Sequence, residues 1–434
     1  MRLLHVADLH VGMLMGGISL VRDHEHVLRQ IVDLVSREHA DALLVPGDLY
    51  DKSLPSATAV EIVSSFLTAA AQTGARVFVT CGNHDAPERI GYLAPLLARQ
   101  GVFVAGPYEG AVPHHTVVDE WGPVTFWLIP FIKPSMVRRY FPDEQIETYT
   151  DALRCVISHC DIDRSQRNVA LSHQFVTSSG FNPMRDYLLQ HPEMASRVQV
   201  GGLNNVDVSV YDPFDYVALG HIHRRQRVGR DGVWYAGSPL KFSTSDEEMR
   251  DQKTATLVEL GPAPAAGAGD FQGAEAAVRT PVGEGGTSSP EAASEPSPEA
   301  AAARGWAHVD VRAIPLTPLH DVRPLRGELA DLVDPKVVAQ NDAVDDYLRV
   351  TLTDENPPVD ALAQLHAVYP NIVQYLVDNA RAHARGATGA SDVDVERRDP
   401  LELFQRFFEE QNGAPMDEAQ ARLVAEELEK VEAR

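Results

Sequence analysis

Carboxylate, amide and imidazole side chains recur along the first 223 residues in five short patches, each closing an apolar run. They read Asp8-Leu9-His10, Gly47-Asp48, Gly82-Asn83-His84-Asp85, Ser172-His173 and Gly220-His221-Ile222-His223. In extended backbone, residues two apart point the same way, so Asp8 with His10, and His221 with His223, can each reach a single ion. Glycine ahead of Asp48, Asn83 and His221 permits a sharp turn at a strand end, where loops carry function on a rigid scaffold. Carboxylates, an amide oxygen and imidazoles together suit borderline divalent ions, Mn²⁺ first, with Fe, Co or Zn also compatible. Two such ions about 3.5–4 Å apart can turn water into a nucleophile and clamp an in-line phosphoryl displacement. A bridging carboxylate is then needed, and Asp48 is the best candidate. An Asp-x-His pair alone is weak, and a lone His173 after a strand is usually structural. The ordered set is far more specific, and it points to hydrolysis of phosphate esters.

His84, beside Asn83, cannot easily share that residue's ion. Its expected work is general acid catalysis or stabilisation of the transition-state oxygen, with Asp85 fixing its orientation; the bland alternative is a structural loop histidine. No Gly-x-Ser-x-Gly elbow, P-loop or dinucleotide fingerprint competes. Cys155 and Cys160 flank His159, but their spacing is wrong for structural zinc.

The elements that must position these residues follow from periodicity. Leu3–Val6, Ala42–Val45 and Arg76–Thr80 are predicted strands, alternating with helices over 24–37, 59–71 and 88–99. Apolar strands in such a β-α-β-α order are buried on both faces. Shorter strands follow at Val124–Ile129, Asn168–Leu171, Tyr216–Leu219, Val233–Tyr235 and Thr254–Glu259. The expected first domain spans 1–260. Residues 261–304 are rich in Gly, Pro, Ala, Ser and Glu, too poor in apolar surface to order, and read as a disordered linker. A small α/β unit is expected over 305–382, with strands 306–311, 347–352 and 372–377 and helices 324–332 and 359–368. A polar spacer at 383–399 leads to a helical pair at 400–434. There Leu401, Phe404, Phe407 and Phe408, then Leu423, Val424, Leu428 and Val431, line apolar faces suited to a partner groove, or else to each other.

Net charge is −24 over 434 residues, which argues against passive coating of DNA. Residues 1–260 hold 23 Lys and Arg against 31 Asp and Glu, so most of the acidity lies beyond them. Arg224, Arg225, Arg227 and Arg230, just past the last candidate ligand, form a local basic cluster that could touch DNA or simply face solvent. Three cysteines cannot build a disulfide framework, no run of 18 apolar residues exists, and a charge arrives too early for a secretory leader. A reducing cytoplasm is the expected setting, with no membrane span.

Through Asp8-x-His10, Gly47-Asp48, Gly82-Asn83-His84-Asp85, His173 and Gly220-His221-x-His223 the chain resembles the calcineurin-like metallophosphoesterases. More narrowly it looks like the nuclease subunits of bacterial double-strand-break repair complexes. The stretches 82–89, 201–207 (Gly-Gly-Leu-Asn-Asn-Val-Asp), 216–223 and 237–243 (Gly-Ser-Pro-Leu-Lys-Phe-Ser) carry that closer likeness. The resemblance implies a layered α/β/β/α sandwich with a smaller α/β capping domain and a C-terminal helical pair. It assigns a first ion to Asp8, His10, Asp48 and His223, and a second to Asp48, Asn83, His173 and His221, with His84 catalytic. It further implies Mn²⁺ dependence, 3′–5′ duplex exonuclease and single-strand endonuclease activity on DNA ends and hairpins, and a homodimer within a heterotetramer. The partner would be a coiled-coil ATPase gripped through residues 400–434. The insertion at 261–304 has no counterpart in the family pattern.

Overall fold

The computed structural model describes residues 1–178, 205–262, 306–340 and 343–379, with Gln420 and Val424. All but the first two residues of the expected linker, the whole spacer and nearly all of the helical pair lie outside the described residues.

Two six-stranded sheets face each other. The first runs β16 (Val309–Pro315), β15 (Thr254–Leu260), β1 (Arg2–His5), β4 (Ala42–Pro46), β5 (Arg76–Thr80) and β6 (Val102–Val104). Its β1, β4, β5 and β6 are parallel, and β15 and β16 close the edge antiparallel. The second runs β13 (Gln226–Arg227), β14 (Val233–Tyr235), β12 (Tyr216–Gly220), β9 (Arg167–His173), β8 (Gly122–Ile129) and β7 (His114–Asp119). Here β14, β12, β9 and β8 are parallel.

Period-two alternation decides which side chains meet. Leu3, Leu44, Phe78, Phe126, Leu171 and Ala218 fill the space between the sheets. Leu4, Leu43, Val45, Val77 and Val79 point the other way, into α1 (Val21–Arg37) and α2 (Ala57–Gln72). Trp127, Ile129, Ala170, Val217 and Leu219 pack outward under α6 (Tyr149–Ser158). These apolar strands are covered on both faces, as buried parallel sheets must be, and the layers are α/β/β/α.

The helix predicted over 88–99 is broken into α3 (Pro87–Gly91) and α4 (Ala94–Ala98). A side chain at Gly91 would lie 2.7 Å from the Gly106 Cα, so this crossing needs glycine. Between α4 and α6 lies the single-turn α5 (Pro134–Arg138).

Residues 322–377 form a three-stranded parallel sheet, β17 (Val322–Gly327), β18 (Tyr347–Leu352) and β19 (Ile372–Val377), over their own core of Leu348, Val350, Leu352, Leu365 and Tyr369. Two expectations are corrected here. The strand assigned to this unit near 306–311 runs instead over Val309–Pro315 and completes the first sheet. The first half of the helix expected at 324–332 is strand β17, and helix is confined to one turn at Leu329–Leu332. Pro324 is tolerated because β17 is an edge strand.

Small ladders fill the connections: the hairpin β2 (Leu14–Met15) and β3 (Ile18–Ser19), and the pair β10 (Val176–Thr177) and β11 (Val206–Asp207). The smaller unit seats on the body through Asp23 of α1. That buried carboxylate accepts the Tyr347 hydroxyl at 2.7 Å and the His320 backbone N–H at 3.1 Å.

Candidate metal centre

Every candidate ligand sits at or just past the C-terminal end of a parallel strand: Asp8 and His10 after β1, Asp48 after β4, Asn83 after β5, His173 ending β9, and His221 and His223 after β12. Sites outside the carboxyl ends of strands are the rule for open α/β sheets. The two sheets bring five sequence-distant loops to one place.

Backbone strain is concentrated there. Among the described residues the non-glycine positions with left-handed φ are Asp8 (53°), His10 (45°), His39 (50°), Asp48 (53°) and His221 (97°). Four of these five are candidate ligands. Such conformations cost about 1–3 kcal/mol each and persist where the surroundings over-determine them.

The geometry brings all seven together. His10 Nε2 lies 3.1 Å from His223 Nε2 and 3.5 Å from Asp48 Oδ2. His173 Nε2 lies 3.2 Å from the same Asp48 oxygen and 3.1 Å from Asn83 Oδ1, which His221 Nδ1 approaches at 2.9 Å. Asp8, His10 and His223 form one group able to hold a cation, Asp8, Asp48 and His173 another, and His10, Asp48 and His84 a third. Asp48 stands between the two sides.

Glycines make room. A Cβ at Gly82 would sit 2.1 Å from Asp48 Oδ1, one at Gly47 2.3 Å from His173 Nδ1, and one at Gly220 2.1 Å from the Pro46 carbonyl oxygen. Backbone amides pin the carboxylates: His221 N–H donates to Asp8 Oδ1 at 2.7 Å, and His84 N–H to Asp48 Oδ1 at 2.9 Å.

The donor set fits divalent cations. Asp8 Oδ2 and His10 Nδ1 are buried without a hydrogen-bond partner, although buried polar atoms are ordinarily satisfied. The ion-pair contacts of Asp8 and Asp48 among the described residues are to histidines alone. Burial would lower the His173 imidazole, but the Asp48 and Asp8 carboxylates outweigh it and push it up to about 9. A proton on His173 thus takes up negative charge that a cation would otherwise neutralise. Burial lowers His10 and His221 to about 3, keeping them neutral and able to ligate.

Asp85 does not hold His84. Its carboxylate accepts the N–H groups of Gly82 (2.9 Å), Tyr50 (3.1 Å) and Leu49 (3.3 Å), lacing the Asn83 loop to the Asp48 loop. Short and buried, it meets amides it must satisfy before it can reach an imidazole. His84 Nδ1 instead faces the Asp51 carbonyl oxygen at 2.8 Å, and its exposed ring stands edge-on to His10 with centroids 4.8 Å apart.

The arginine cluster is also differently disposed. Arg224 pairs with Glu247 and Arg227 with Asp231. Arg225 stacks on Trp234 at 4.3 Å and donates to Thr256, while Arg230 donates to the Phe214 and Asp215 carbonyls beneath Trp306. The expected free basic patch is largely tied up by partners. Cys155 and His159 form no metal group among the described residues, and His159 Nδ1 donates to the Cys155 carbonyl at 2.8 Å.

Periodicity and spacing missed several supporting residues. Phe242 places its ring against both His10 (5.3 Å) and His223 (5.6 Å). Buried Lys253 reaches the His223 carbonyl, and Phe131 lies beside His221. The Gly237–Ser243 stretch was the available signal for Phe242; a lone lysine ahead of a strand offered none.

Residues 1–225, a little over half the chain, match the calcineurin-like phosphoesterase family, and residues 318–412 match the Type 5 capsule protein repressor C-terminal domain. The chain is 23% identical to the SbcD subunit of the nuclease SbcCD from Staphylococcus epidermidis over 431 residues, 97% of this chain and 96% of that one. Among solved structures, a dimetal phosphatase from Danio rerio aligns at 12% identity and a TM-score of 0.35, covering 59% of this chain and 91% of that chain. Yfce, a phosphoesterase from E. coli, aligns at 11% and 0.24, covering 59% and 87%. With the candidate ligands in these positions and the family match spanning all five patches, the chain belongs to the calcineurin-like phosphoesterase family and is a metal-dependent phosphodiesterase.

Proposed function

We propose that the chain is the nuclease subunit of a DNA end-processing complex, cleaving DNA phosphodiesters with Mn²⁺ as the working ion. The observation that carries this reading is the end-to-end similarity to a nuclease subunit, through the phosphoesterase body and the smaller unit alike. A phosphatase acting on a small ester needs no second unit docked beside its centre.

Asp8, His10, Asp48 and His223 would hold one ion, and Asp48, Asn83, His173 and His221 the other. When bound, the ions supply Lewis acidity and lower the pKa of water. The protein does the rest. Asp48, pinned by the His84 amide, keeps the two sides in register. His84 donates Nδ1–H to the Asp51 carbonyl, which leaves Nε2 for the substrate. As the imidazolium, its Nε2–H would give a proton to the leaving oxygen or hydrogen-bond the phosphoryl group.

By the same reading, residues 400–434 bind a coiled-coil ATPase of the SbcC kind, and the activity covers 3′–5′ duplex exonucleolysis and single-strand endonucleolysis. A second copy pairs on the exposed Val60, Tyr92 and Leu93, which line a cavity of about 720 Å³. Among the described residues no helix is long and apolar enough to cross a membrane.

The test is turnover of an end-labelled duplex against bis(p-nitrophenyl) phosphate in Mn²⁺. Cleavage of the duplex supports the nuclease; hydrolysis of the small diester alone favours the smaller-ester reading. Deleting residues 400–434 should abolish co-purification with the ATPase and leave hydrolysis of the small diester.

A further inference from the structure

In a chain of net charge −24, residues 121–142 contain no acid and carry Lys133, Arg138 and Arg139. The part of this stretch after β8 leads straight to the centre. The Phe131 N–H donates to the Cys81 carbonyl at 2.8 Å, tying this loop to the strand end that presents Asn83 and His84. The Phe131 ring lies nearly parallel to His221, centroids 6.4 Å apart, and the same distance from His173. Lys133 Nζ stands 5.9 Å over the Phe131 ring, and the Arg139 guanidinium 5.7 Å over Tyr140.

All three cations are exposed, and among the described residues none pairs with a carboxylate. Arg138 donates to the Ile146 carbonyl, which spends a hydrogen bond but leaves the charge uncompensated. Arg224 and Arg227, which follow His223 in the sequence, are by contrast paired with Glu247 and Asp231. Lys133 stands over the ring that flanks His221 and His173, and Arg138 and Arg139 follow it at the end of α5. Uncompensated positive charge on a segment that starts beside a phosphodiester-cleaving centre has one evident complement, the phosphates flanking the scissile bond.

We propose that the segment Phe131–Arg139 is the strand-binding lip of this centre: Lys133, Arg138 and Arg139 hold backbone phosphates of the nucleic acid, and the Phe131 face lies along the path of the strand. This rests on the nuclease reading and deepens it, because it assigns the polymer contacts to residues of this chain. Phosphate contacts of this kind are insensitive to sequence and strongly dependent on salt, and an aromatic face tolerates any base.

The experiment compares the full-length protein with a Lys133→Ala/Arg138→Ala/Arg139→Ala variant, using a fluorescent oligonucleotide duplex and bis(p-nitrophenyl) phosphate as probes. Binding is measured between about 50 and 300 mM salt in Ca²⁺, and cleavage of both probes in Mn²⁺. The salt slope of DNA binding should fall by about 2–3 in log–log units, at roughly 0.7–0.9 for each of three lost phosphate contacts. The ratio of DNA cleavage to small-diester hydrolysis should fall at least tenfold; mere damage to the centre would lower both rates together and leave the ratio alone. Lys133→Arg, which keeps the charge, should retain the parent slope, and Arg224→Ala should too. An unchanged slope and ratio in the triple variant, with the parent active on DNA, overturns the lip alone. A parent that hydrolyses the small diester and neither binds nor cleaves DNA overturns the lip and the nuclease reading together.

Discussion

The Lys253 ammonium donates to the His223 backbone carbonyl across 2.9 Å, and the Ser238 N–H donates to the same oxygen at 3.0 Å. Lys253 is 6% exposed and is itself held by Asp251 at 3.1 Å and Glu248 at 3.3 Å. A buried cation so placed fixes the backbone that carries a candidate metal ligand. Phe242, in the same segment, covers the rings of His223 and His10. The chain from Gly237 to Lys253 is therefore a brace behind the first side of the centre, and Lys241–Asp321 at 2.8 Å joins that brace to the smaller unit.

Lys253→Met should weaken Mn²⁺ binding about 10- to 100-fold, the usual range for losing a group that orients a ligand. Calorimetric titration of the purified protein would show this as a lower affinity on one of two sites, and an unaltered isotherm would mean that the brace does not orient His223.

His84→Ala should cut the rate on DNA and on the small diester by about 10²–10⁴-fold, the ordinary worth of a positioned acid or base. Metal stoichiometry should stay at the parent value, because His84 belongs to neither expected ligand set. Parallel rate and metal titrations check both halves; parent-like turnover would remove His84 from the catalytic role.

Gly82→Ala places a Cβ within 2.1 Å of Asp48 Oδ1 and 2.5 Å of its amide nitrogen. The Asp48 loop must shift, at about 1–3 kcal/mol for overpacking. Both a lower thermal midpoint and loss of metal binding are expected, read by calorimetry with and without Mn²⁺.

Burial holds the His5 imidazole down to about 3, with the Arg225 charge acting in the same sense. Unfolded, it would titrate near 6.5, so the unfolded chain binds a proton that the native chain refuses. Stability from the neutral ring is complete above about pH 6.5 and falls as pH drops toward 3, by at most about 1.4 kcal/mol per pH unit from this group. His5→Gln, which can keep a hydrogen bond to the Tyr216 hydroxyl, should lose less stability than the parent between about pH 7 and 5. Urea midpoints at the two pH values give the comparison; equal losses would show that His5 is not titrating.

Much of the centre is legible in the sequence because its parts obey local rules. Asp8, Asp48, Asn83, His173, His221 and His223 each close an apolar run, and a strand end is where a rigid scaffold hands a side chain to a loop. The sandwich is legible too, since Leu3/Leu4 and the 42–45 run carry apolar residues on both faces. Asp85 departs from its expected role because adjacency in sequence is not contact: its carboxylate turns to the amides of Gly82, Leu49 and Tyr50. Arg224 and Arg227 look free in the sequence because their partners' proximity is a tertiary fact for Glu247 and a turn geometry for Asp231. The Val309–Pro315 strand reads as part of the smaller unit because edge pairing across a long insertion leaves no local trace.

The most direct test of the central claim is an anomalous-scattering map from crystals soaked in Mn²⁺. Two peaks about 3.5–4 Å apart, with Asp48 reaching both, are the expected result. A cavity that is empty, or holds one peak at saturating Mn²⁺, would contradict it.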